Sequence, residues 1–481
     1  MGKSFYITTT LPYVNASPHL GHALEFVRAD VIARYKKMLG FDVFFNTGTD
    51  EHGQKIWNAA IKENVRVEDY VAINAQKFKD LLKEINILEE AHFIRTTDPR
   101  HIAGAQKLWQ IVFQKGFIYK ANYKTKYCVG CELEKTDSEL VDNKCPEHPN
   151  LDIIEINEEN YFFKFSAFQK KLLNLYSSRP DFVLPESRMK EIISFVSQGL
   201  RDFSISRLKK KMPWGVPVPG DDNHVMYVWF DALANYITTL GWPDNLSQFK
   251  KFWVNDTPTQ YCGQDNLRQQ AAMWQAILMA AGLPNSYQIV INGFVTGAGG
   301  IKMSKTLGNI IDPRELIAHY GTDAFRYYVL RHIHPWDGSP VSDESFFEAY
   351  NGNLVNGLGN VVSRVLMMAE KYLLKPVDIL PDNLPREWHK NLESFRIDLA
   401  CDFIWKQIAD LDKSINKDEA FKVAKKDIEK ARKLIIQYVR ELSTIAKMLE
   451  PILPQTSAEI QKHIALNKKP LPMFPRKELI R

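Results

Sequence analysis

The chain has 481 residues, of which 45% are hydrophobic and 25% are charged. These proportions are typical of globular proteins and exclude wholesale disorder and fibrous repeats, and the length allows roughly three domains. Lysine and arginine number 62 against 57 aspartates and glutamates, and the net charge of +5 permits a polyanionic partner without requiring one.

Hydropathy and cysteine content predict the compartment. No stretch of about 18 apolar residues is present, so we expect no membrane-spanning segment. The five cysteines are sparse and odd in number, which argues against a disulfide framework and favours a reducing compartment. We therefore expect a cytoplasmic protein that does not bind membranes.

Strands and helices alternate along the first 115 residues. β-branched and aromatic residues predict strands at 5–10 and 42–46, and apolar residues at three- and four-residue steps predict a helix over 19–38. Further helices are predicted over 54–62, 67–87 and 100–115. This alternation is typical of a parallel, doubly wound α/β sheet.

The alternation stops at about residue 116 and resumes near residue 229. The segment between has short aromatic strands and clustered cysteines, which indicate an insertion with a small fold of its own. The alternation then continues through a helix at 230–240, a strand at 259–262, a helix at 267–281 and a strand at 287–292. After residue 344, long helices separated by prolines predict an all-α domain.

A turn leads from the first predicted strand into a helix that begins with two histidines, within the sequence Asn15-Ala16-Ser17-Pro18-His19-Leu20-Gly21-His22. A helix N-terminus presents unpaired N–H groups that suit a phosphate chain, and Gly21 lets a flat base approach the backbone. His19 and His22 share one face of the first turn, from which their ring N–H groups can donate to phosphate oxygens. A surface helix with two unrelated histidines is the alternative.

A glycine-rich segment at 297–300 precedes two lysines in the sequence Lys302-Met303-Ser304-Lys305-Thr306. Lysines beside a flexible hinge can swing onto a polyphosphate, and nucleotidyl transfer depends mainly on such positioning and charge stabilisation. A solvated basic loop is the alternative interpretation of this segment.

Two metal-ligand pairs lie in the insertion, the first at Cys128 and Cys131 and the second, after thirteen further residues, at Cys145 and His148. Three cysteines and one histidine supply the tetrahedral ligand set of a structural zinc site that has no open position. Buried free thiols and a redox pair are the alternatives, although the histidine and the spacing disfavour redox chemistry.

The sequences HLGH at 19–22 and KMSKT at 302–306 resemble the paired signatures of the class I aminoacyl-tRNA synthetases. Within that class, the chain resembles the methionyl-tRNA synthetase family over nearly all of its length. The further similar segments are TLPYVN at 10–15, GTDEHG at 48–53, SISR at 204–207, YVWFDA at 227–232 and YGTDAFRYY at 320–328.

The resemblance implies an α/β fold with a split Rossmann-type parallel sheet and a zinc-containing connective insertion, followed by an all-α helix-bundle domain. The implied domains are 1–115 with 229–294 for the catalytic sheet, 116–228 for the insertion, 295–344 for the KMSKS-loop and stem-contact region, and 345–481 for the anticodon-binding domain. The chain ends after this last domain, so we expect a monomer.

The resemblance also implies a methionine–tRNA ligase, which forms methionyl-adenylate and pyrophosphate from methionine and ATP and then charges tRNA(Met). The implied catalytic residues are His19, His22, Lys302 and Lys305. The implied ATP-binding residues are Asn15, His19, Gly21, His22, Glu25, Gly263, Asp265, Lys302 and Lys305. The implied methionine-binding residues are Leu11, Tyr13, Asp50, Trp229, Ala232, Tyr236, Asn266 and Gln270. Mg²⁺ is expected with the ATP, and one structural Zn²⁺ is expected at the cysteines.

The chain departs from the family pattern after the strand at 259–262. Gln264 stands where the family has a lysine that contacts ATP, and Gln270 stands where a histidine borders the substrate side chain. An amide can still donate and accept hydrogen bonds, so we expect methionine binding to survive with altered geometry.

The helical domain is expected to read RNA, because Asn360 and Arg364 match the anticodon-reading Asn-x-x-x-Arg of the family. Phe421 aligns with the family's stacking tryptophan, and unstacked anticodon bases are read by stacking and edge hydrogen bonds. Basic residues nearby suit phosphates, although a solvated charged helix explains them equally well; they are Lys422, Lys425, Lys426, Lys430, Arg432 and Lys433.

Two other functions are weighed against methionine–tRNA ligation. A class I synthetase for valine, isoleucine or leucine would need a large editing domain, since one methylene gives only about 10–200-fold discrimination, and the segment 116–228 is too small for one. A non-catalytic tRNA-binding paralogue is disfavoured by the intact HLGH and KMSKT motifs but favoured by Gln264 and Gln270.

Overall fold

The computed structural model describes residues 3–131, 133–135, 137–297, 311–379 and 384–479. The predicted KMSKT segment, with Lys302 and Lys305, therefore lies outside the described residues. Among the described residues, no helix is both long enough and apolar enough to cross a membrane.

The strands are numbered in chain order. They are β1 Ser4–Thr8, β2 Asp42–Thr49, β3 His92–Arg95, β4 Ile118–Cys128, β5 Leu133–Lys135, β6 Ile154–Phe163, β7 Val183–Leu184, β8 Phe203–Ser204, β9 Ser206–Leu208, β10 Pro217–Val218, β11 Asp221–Met226, β12 Thr259–Gly263, β13 Gln288–Asn292, β14 Val295–Thr296 and β15 Ser339–Pro340.

The α-helices are numbered in the same way. They are α1 Leu20–Met38, α2 Gln54–Lys62, α3 Val67–Glu84, α4 Pro99–Gln114, α5 Gln169–Ser178, α6 Glu186–Ser197, α7 Val228–Leu233, α8 Asn235–Thr238, α9 Leu246–Phe249, α10 Trp274–Ala281, α11 Pro313–Tyr320, α12 Thr322–Arg331, α13 Asp343–Ala349, α14 Asn360–Tyr372, α15 Arg386–Glu393, α16 Ile397–Asp418, α17 Ala420–Val423, α18 Ile428–Leu449 and α19 Pro454–Leu466.

The largest sheet in the described part of the chain has six strands in the order β3-β2-β1-β12-β13-β7. Every neighbouring pair is parallel, with Tyr6 opposite Phe44 and Tyr261 opposite Val290 in the register. All five residues of β13 are buried, as expected of a parallel strand that is covered by helices on both faces. The predicted parallel sheet is therefore confirmed, and the sequence pattern missed only its short strands β3 and β7.

The chain order reverses between β1 and β12, which are neighbours in the sheet. From β1 the chain passes through α1 to β2 on one side, whereas β12 leads to β13 on the other side. The loops that follow β1 and β12 therefore diverge, and they open a crevice at the carboxyl ends of these two strands. In open α/β sheets, ligands bind at this kind of switch point.

Two further antiparallel sheets lie in the range predicted for the insertion, in the orders β5-β4-β6-β8 and β10-β11-β9. The long strands β4 and β6 pair from Ile118 opposite Phe163 to Tyr127 opposite Ile154. The segment with α5, β7 and α6 does not belong to these sheets, because Val183 of β7 pairs with Ile289 of β13 in the main sheet. The range 116–228, predicted as one inserted unit, thus needs correction, because part of it completes the main sheet. A two-residue strand carries no alternation that could have predicted this.

The helices of the C-terminal region pack against one another and against one face of the main sheet. A single hydrophobic core runs from Ile7 of β1 through Leu354 to Ile464 of α19. The predicted all-α region is therefore confirmed as a helical assembly. The residues after α19 pack back on it, since Tyr350 donates to the Pro475 carbonyl at 2.8 Å.

Candidate active site

Three groups of predicted site residues follow the carboxyl ends of neighbouring strands. His19 and its neighbours follow β1, Asp50 follows β2, and Gly263 and Asp265 end and follow β12. The fold thus brings together, at one edge of the sheet, residues that are more than 200 positions apart in the chain. We call the groups that follow β1 and β12 the switch-point site.

The two histidines hold each other and the first turn of α1 in a reciprocal cap. The Nδ1 atom of His19 accepts the Gly21 N–H at 3.1 Å, and the Nδ1 atom of His22 accepts the His19 N–H at 3.3 Å. Their rings stack with centroids 3.8 Å apart. Because both Nδ1 atoms accept, the proton of each neutral ring lies on Nε2, which can donate to a ligand.

Electrostatics keep the second histidine neutral. Burial lowers the pKa of His22 well below its ordinary value, and the proximity of His19 adds to this effect. The ring also packs edge-on against Phe78, with centroids 5.2 Å apart. His22 is therefore a neutral hydrogen-bond donor near pH 7.

The absence of a side chain at Gly21 matters for the His19 ring as well as for the approach of a base. A Cβ atom at this position would lie 3.1 Å from Cε1 and 3.2 Å from Nδ1 of His19. A side chain here would require the His19 ring to shift by a few tenths of an ångström, in addition to blocking a base.

Glu25 lies one turn further along α1 and reaches back to the loop after β1. Its Oε1 accepts the Thr10 N–H at 2.6 Å. Burial raises the pKa of Glu25 to about 8 against the opposing effect of that hydrogen bond, and the charge of Asp265 adds to the rise. At neutral pH the carboxyl group is therefore mostly protonated and can also donate.

An aromatic cluster forms where α7 meets the loop after β1. Its members are Tyr13, Tyr227, Val228, Trp229 and Ala232. Three predicted methionine-binding residues are thus brought together. Of the others, Leu11 is buried nearby in sequence, and Tyr236 is 1% exposed and packs in the core on the other face of the sheet.

Asp50 is held beside Tyr13 by the backbone. The Asp50 N–H donates to the Pro12 carbonyl at 2.9 Å, and the Val14 N–H donates to the Asp50 carbonyl at 3.2 Å. Gly53 completes this arrangement at a φ of +115°, because a Cβ there would lie 2.2 Å from the Tyr13 hydroxyl oxygen. Asp50, a predicted methionine-binding residue, therefore adjoins the aromatic cluster.

The two remaining predicted methionine residues are engaged with protein groups. Asn266 donates to Asp265 at 3.2 Å. Gln270 is 1% exposed, donates to the Tyr236 hydroxyl at 2.7 Å and accepts from Gln260 at 2.9 Å. Gln270 thus contacts Tyr236, while Asn266 lies against Asp265, a predicted ATP-binding residue.

Sequence reasoning missed a buried carboxylate that joins three segments. Asp231 accepts from Nδ1 of His52 at 2.7 Å and from Nε2 of His101 at 2.8 Å. Burial acts to raise the pKa of Asp231, but the two imidazoles outweigh burial and lower it to about 2. This carboxylate ties α7, which carries Trp229, to the segment that carries Asp50. His52 and Asp231 lie in GTDEHG and YVWFDA, two of the segments that resemble the family. No motif or pattern in the sequence around His101 indicates that it contacts Asp231.

The predicted zinc ligands converge. One donor atom from each of Cys128, Cys131, Cys145 and His148 lies within 4.8 Å of the others. The Cys131 sulfur lies 3.4 Å from the Cys145 sulfur and 3.3 Å from Nδ1 of His148. Three thiols and an imidazole this close together fit a tetrahedral ion with ligand distances of about 2.0–2.3 Å.

The loop between Cys128 and Cys131 is linked to the aromatic cluster through Lys55. A Cβ on Gly130 would lie 2.3 Å from the His148 ring, so a glycine is needed between Cys128 and Cys131 for the imidazole to approach. The Gly130 carbonyl accepts from Lys55 at 2.7 Å, and the same ammonium lies 5.8 Å from the centre of the Tyr13 ring. Lys55 therefore bridges the two clusters.

The predicted anticodon residues lie on the C-terminal helices. Asn360 lies at the start of α14, and Phe421 on α17 is 45% exposed. Arg364 is hydrogen-bonded to Asp412 and, at 2.6 Å, to Asn416 of α16. The guanidinium is thus already held in place by acidic and amide groups.

A family model described as tRNA synthetases class I (M) matches residues 5–153 and 150–366, which is more than half of the chain. The chain belongs to the methionyl-tRNA synthetase family. The class predicted from the HLGH and KMSKT sequences, and the family predicted from the further similar segments, are thereby confirmed.

Relatives match over most of the chain. The methionine–tRNA ligase of Synechocystis sp. is 40% identical over 96% of this chain and 89% of its own length. The methionine–tRNA ligase of Caldanaerobacter subterraneus subsp. tengcongensis is 38% identical over 97% of this chain and 75% of its own length. This member of the methionyl-tRNA synthetase family is a methionine–tRNA ligase, as predicted.

Solved structures agree with this assignment. The Mycobacterium tuberculosis methionyl-tRNA synthetase in complex with methionyl-adenylate is 34% identical, with a TM-score of 0.89 over 99% of this chain and 98% of that chain. The free form of the same enzyme has a TM-score of 0.82 at 30% identity. The described conformation is therefore more similar to the adenylate-bound form than to the free form.

Proposed function

We propose that the switch-point site and the aromatic cluster together form the methionine-activating site of this ligase. The observation that carries the proposal is that the paired histidines at the start of α1 and Asp265 follow the carboxyl ends of the neighbouring strands β1 and β12, with Tyr13 in the same loop as the histidines. This position matches where a ligand binds in an open α/β sheet.

In this proposal, the methionine side chain packs against Tyr13, Trp229 and Ala232, with Leu11 and Tyr236 near its end. A thioether is polarizable and packs favourably against aromatic rings. The substrate ammonium pairs with Asp50, because a charge-assisted hydrogen bond to a buried carboxylate is strong and directional. Asn266 and Gln270 support this pocket through Asp265 and Tyr236.

ATP lies across the start of α1. The Nε2–H groups of His19 and His22 donate to its phosphates, and the helix N-terminus adds positive potential. Asp265 accepts from the ribose hydroxyls, while Asn15, Gly21, Glu25 and Gly263 line the nucleotide. Mg²⁺ accompanies the phosphates as their counter-ion.

The chemistry is an in-line displacement. A methionine carboxylate oxygen attacks the α-phosphorus of ATP, the bond to the bridging oxygen breaks, and pyrophosphate leaves with that electron pair. Lys302 and Lys305, which lie outside the described residues, remain the predicted donors of positive charge to the departing phosphates. The terminal ribose hydroxyl of tRNA(Met) then attacks the methionyl carbonyl, and AMP leaves.

The three cysteines and His148 are proposed to hold one structural zinc ion. This ion would cross-link the two metal-ligand pairs and take no part in the reaction. Lys55 contacts both the Gly130 carbonyl and the Tyr13 ring, which supports a role for the zinc site in holding the segment from Cys128 to Cys131 against Tyr13. We propose that the family's domain division holds with the correction at β7, and that the protein is a monomer.

The C-terminal helices are proposed to bind the CAU anticodon of tRNA(Met). Asn360 and Arg364 would read base edges and Phe421 would stack on a base. The exposed lysines near α17 and α18 would contact phosphates. The contact of Arg364 with Asp412 supports this role, because it orders the guanidinium before a base arrives.

A crossed pair of variants tests the site. Asp50→Asn should raise KM for methionine at least tenfold in ATP–pyrophosphate exchange and leave KM for ATP within about twofold, because a lost charge-assisted hydrogen bond is worth about 1.5–3 kcal/mol. Asp265→Asn should do the reverse. The assignment is wrong if both variants change the two KM values equally or change neither.

A further inference from the structure

The segment that ends β2 and follows it carries two adjacent carboxylates, Asp50 and Glu51. Glu51 is completely buried, and both of its carboxylate oxygens accept hydrogen bonds from protein groups. Oε1 accepts from Nε of Arg95 at 2.7 Å and from the Thr49 hydroxyl at 2.6 Å. Oε2 accepts from Nη2 of Arg95 at 2.8 Å and from the Thr97 hydroxyl at 2.6 Å. We call Glu51, Arg95, Thr49 and Thr97 the Glu51 clamp.

These four donors leave the Glu51 carboxylate no capacity to bind a ligand. A carboxylate has about four lone-pair sites, and each oxygen of Glu51 already accepts two hydrogen bonds. The guanidinium of Arg95 meets both oxygens, and such a paired contact fixes the orientation of a carboxylate as well as binding it. A substrate ammonium at this segment therefore has to meet Asp50 and not Glu51.

The backbone of Glu51 is held at both of its polar groups. Its N–H donates to the Thr96 hydroxyl at 2.9 Å, and its carbonyl accepts from Nε1 of Trp214 at 2.5 Å. The Thr96 N–H in turn donates to the Thr49 carbonyl at 3.2 Å. Side-chain and backbone contacts together thus fix Glu51 in one orientation.

The orientation of Glu51 determines the direction of Asp50. Asp50 continues β2 by one residue, since it forms a parallel bridge with Tyr13. Successive residues of an extended chain place their side chains on opposite faces, so the clamp that holds Glu51 toward Arg95 leaves Asp50 on the other face. A backbone rotation that moved Asp50 would also have to pull Glu51 away from its four donors.

We propose that the Glu51 clamp orients Asp50 toward the substrate ammonium, with Glu51, Arg95 and Thr97 as positioning residues for methionine binding. The inference rests on the proposed role of Asp50 in binding that ammonium. A carboxylate that is held in one direction before the substrate arrives loses little freedom on binding. The clamp therefore contributes affinity for the amino group of the amino acid, and none for its side chain or for ATP.

The experiment compares methionine with 4-(methylthio)butanoate, its analogue without the amino group. In ATP–pyrophosphate exchange, the inhibition constant of this analogue as a competitor of methionine, divided by KM for methionine, measures the preference for the amino group. Asp50→Asn should lower this ratio about tenfold or more, as expected for a lost charge-assisted hydrogen bond. Arg95→Lys should lower it about three- to tenfold, because an ammonium cannot form the paired contact of a guanidinium. KM for ATP should stay within about twofold of the wild type, since the clamp acts on amino acid binding alone.

Two further variants separate positioning from a general effect on the fold. Thr97→Val removes one hydroxyl that donates to Glu51 and keeps the shape of the side chain, so it should lower the ratio in the same direction by a smaller factor. Adding Arg95→Lys to Asp50→Asn should lower the ratio no further, because the clamp acts through Asp50.

Arg396→Lys is the matched control. Like Arg95, Arg396 donates through Nε and Nη2 to both oxygens of one carboxylate, that of Asp398, and its side chain is 25% exposed against 33% for Arg95. It should leave the ratio unchanged. If Arg95→Lys and Thr97→Val also leave it unchanged while Asp50→Asn lowers it, the clamp is overturned and the proposed function stands. If Asp50→Asn itself leaves the ratio unchanged, the proposed role of Asp50 fails, and the clamp with it.

Discussion

The guanidinium of Arg326 lies 2.7 Å from the carboxylate of Asp30, and both side chains are fully buried. Asp30 lies on α1, the helix that starts at the paired histidines, whereas Arg326 lies on α12. The same guanidinium donates to the Ile452 carbonyl at 2.9 Å and to the Ile85 carbonyl at 3.1 Å. One side chain thus joins α1 to the C-terminal helices.

Arg326→Met should destabilise the whole molecule. Removing the guanidinium leaves Asp30 with Arg34 as its remaining cation and leaves the Ile85 and Ile452 carbonyls without this donor, and each buried polar group that loses its partner costs about 1–3 kcal/mol. The expected result is a fall of several degrees in the midpoint of thermal unfolding, followed by circular dichroism. Arg66→Met is the control, since its pair with Asp69 is exposed and should contribute nothing measurable. Equal midpoints for the two variants would contradict the role of Arg326.

The cysteine cluster should carry one zinc ion per chain. Metal analysis of protein purified without added zinc should find this ion, and Cys145→Ser should lose it because one of the four ligands is removed. Cys401→Ser is the control, because Cys401 is a buried thiol outside the cluster, and this variant should retain the metal. Purified wild type without zinc, or a Cys145→Ser variant that keeps it, would rule out the ligand set.

Glu25 should make the protein less stable as the pH rises. Its pKa is raised from 4.5 to about 8 in the folded chain, so between these values the unfolded state has lost a proton that the folded state retains. Stability should therefore fall from about pH 4.5 to pH 8 through this group and then level off. The unfolding midpoint of Glu25→Gln should exceed that of the wild type by a margin that widens over this range. A constant margin would show that Glu25 ionises normally.

Phe421 should act in tRNA charging and not in methionine activation. Stacking on an unpaired base is worth about 1–3 kcal/mol, so Phe421→Ala should raise KM for tRNA(Met) about tenfold or more while ATP–pyrophosphate exchange is unchanged. The control is Phe113→Ala, because Phe113 is 49% exposed on α4, against 45% for Phe421. An equal effect of both variants on charging would exclude a specific stacking role.

The features that were predicted correctly from the sequence depend on residues that are close together in the chain. The strand before His19, the helix after it and the four predicted zinc ligands depend on residues within about 20 positions of one another, and periodicity or spacing identifies them. The switch-point site was predictable only because the order of strands and helices specifies which loops meet.

Other features depend on packing between distant segments. β3 has four residues of mixed polarity, and β7 has only two residues. Neither strand therefore shows the two-residue alternation by which strands are predicted. Gln260, Gln270 and Gln275 are ordinary polar residues in the sequence, which are usually exposed, and only the folded core reveals that they are buried and hydrogen-bonded to one another. Asp231 likewise depends on His101, which is 130 positions away.

The most direct test of methionine activation is ATP–pyrophosphate exchange by the wild-type protein with each of the twenty amino acids in turn. We expect fast exchange with methionine and rates at least about a hundredfold lower with every other amino acid, because Asp50 and the aromatic cluster would accept the thioether substrate best. Exchange that is fastest with another amino acid, or absent with all twenty, would contradict the proposed function.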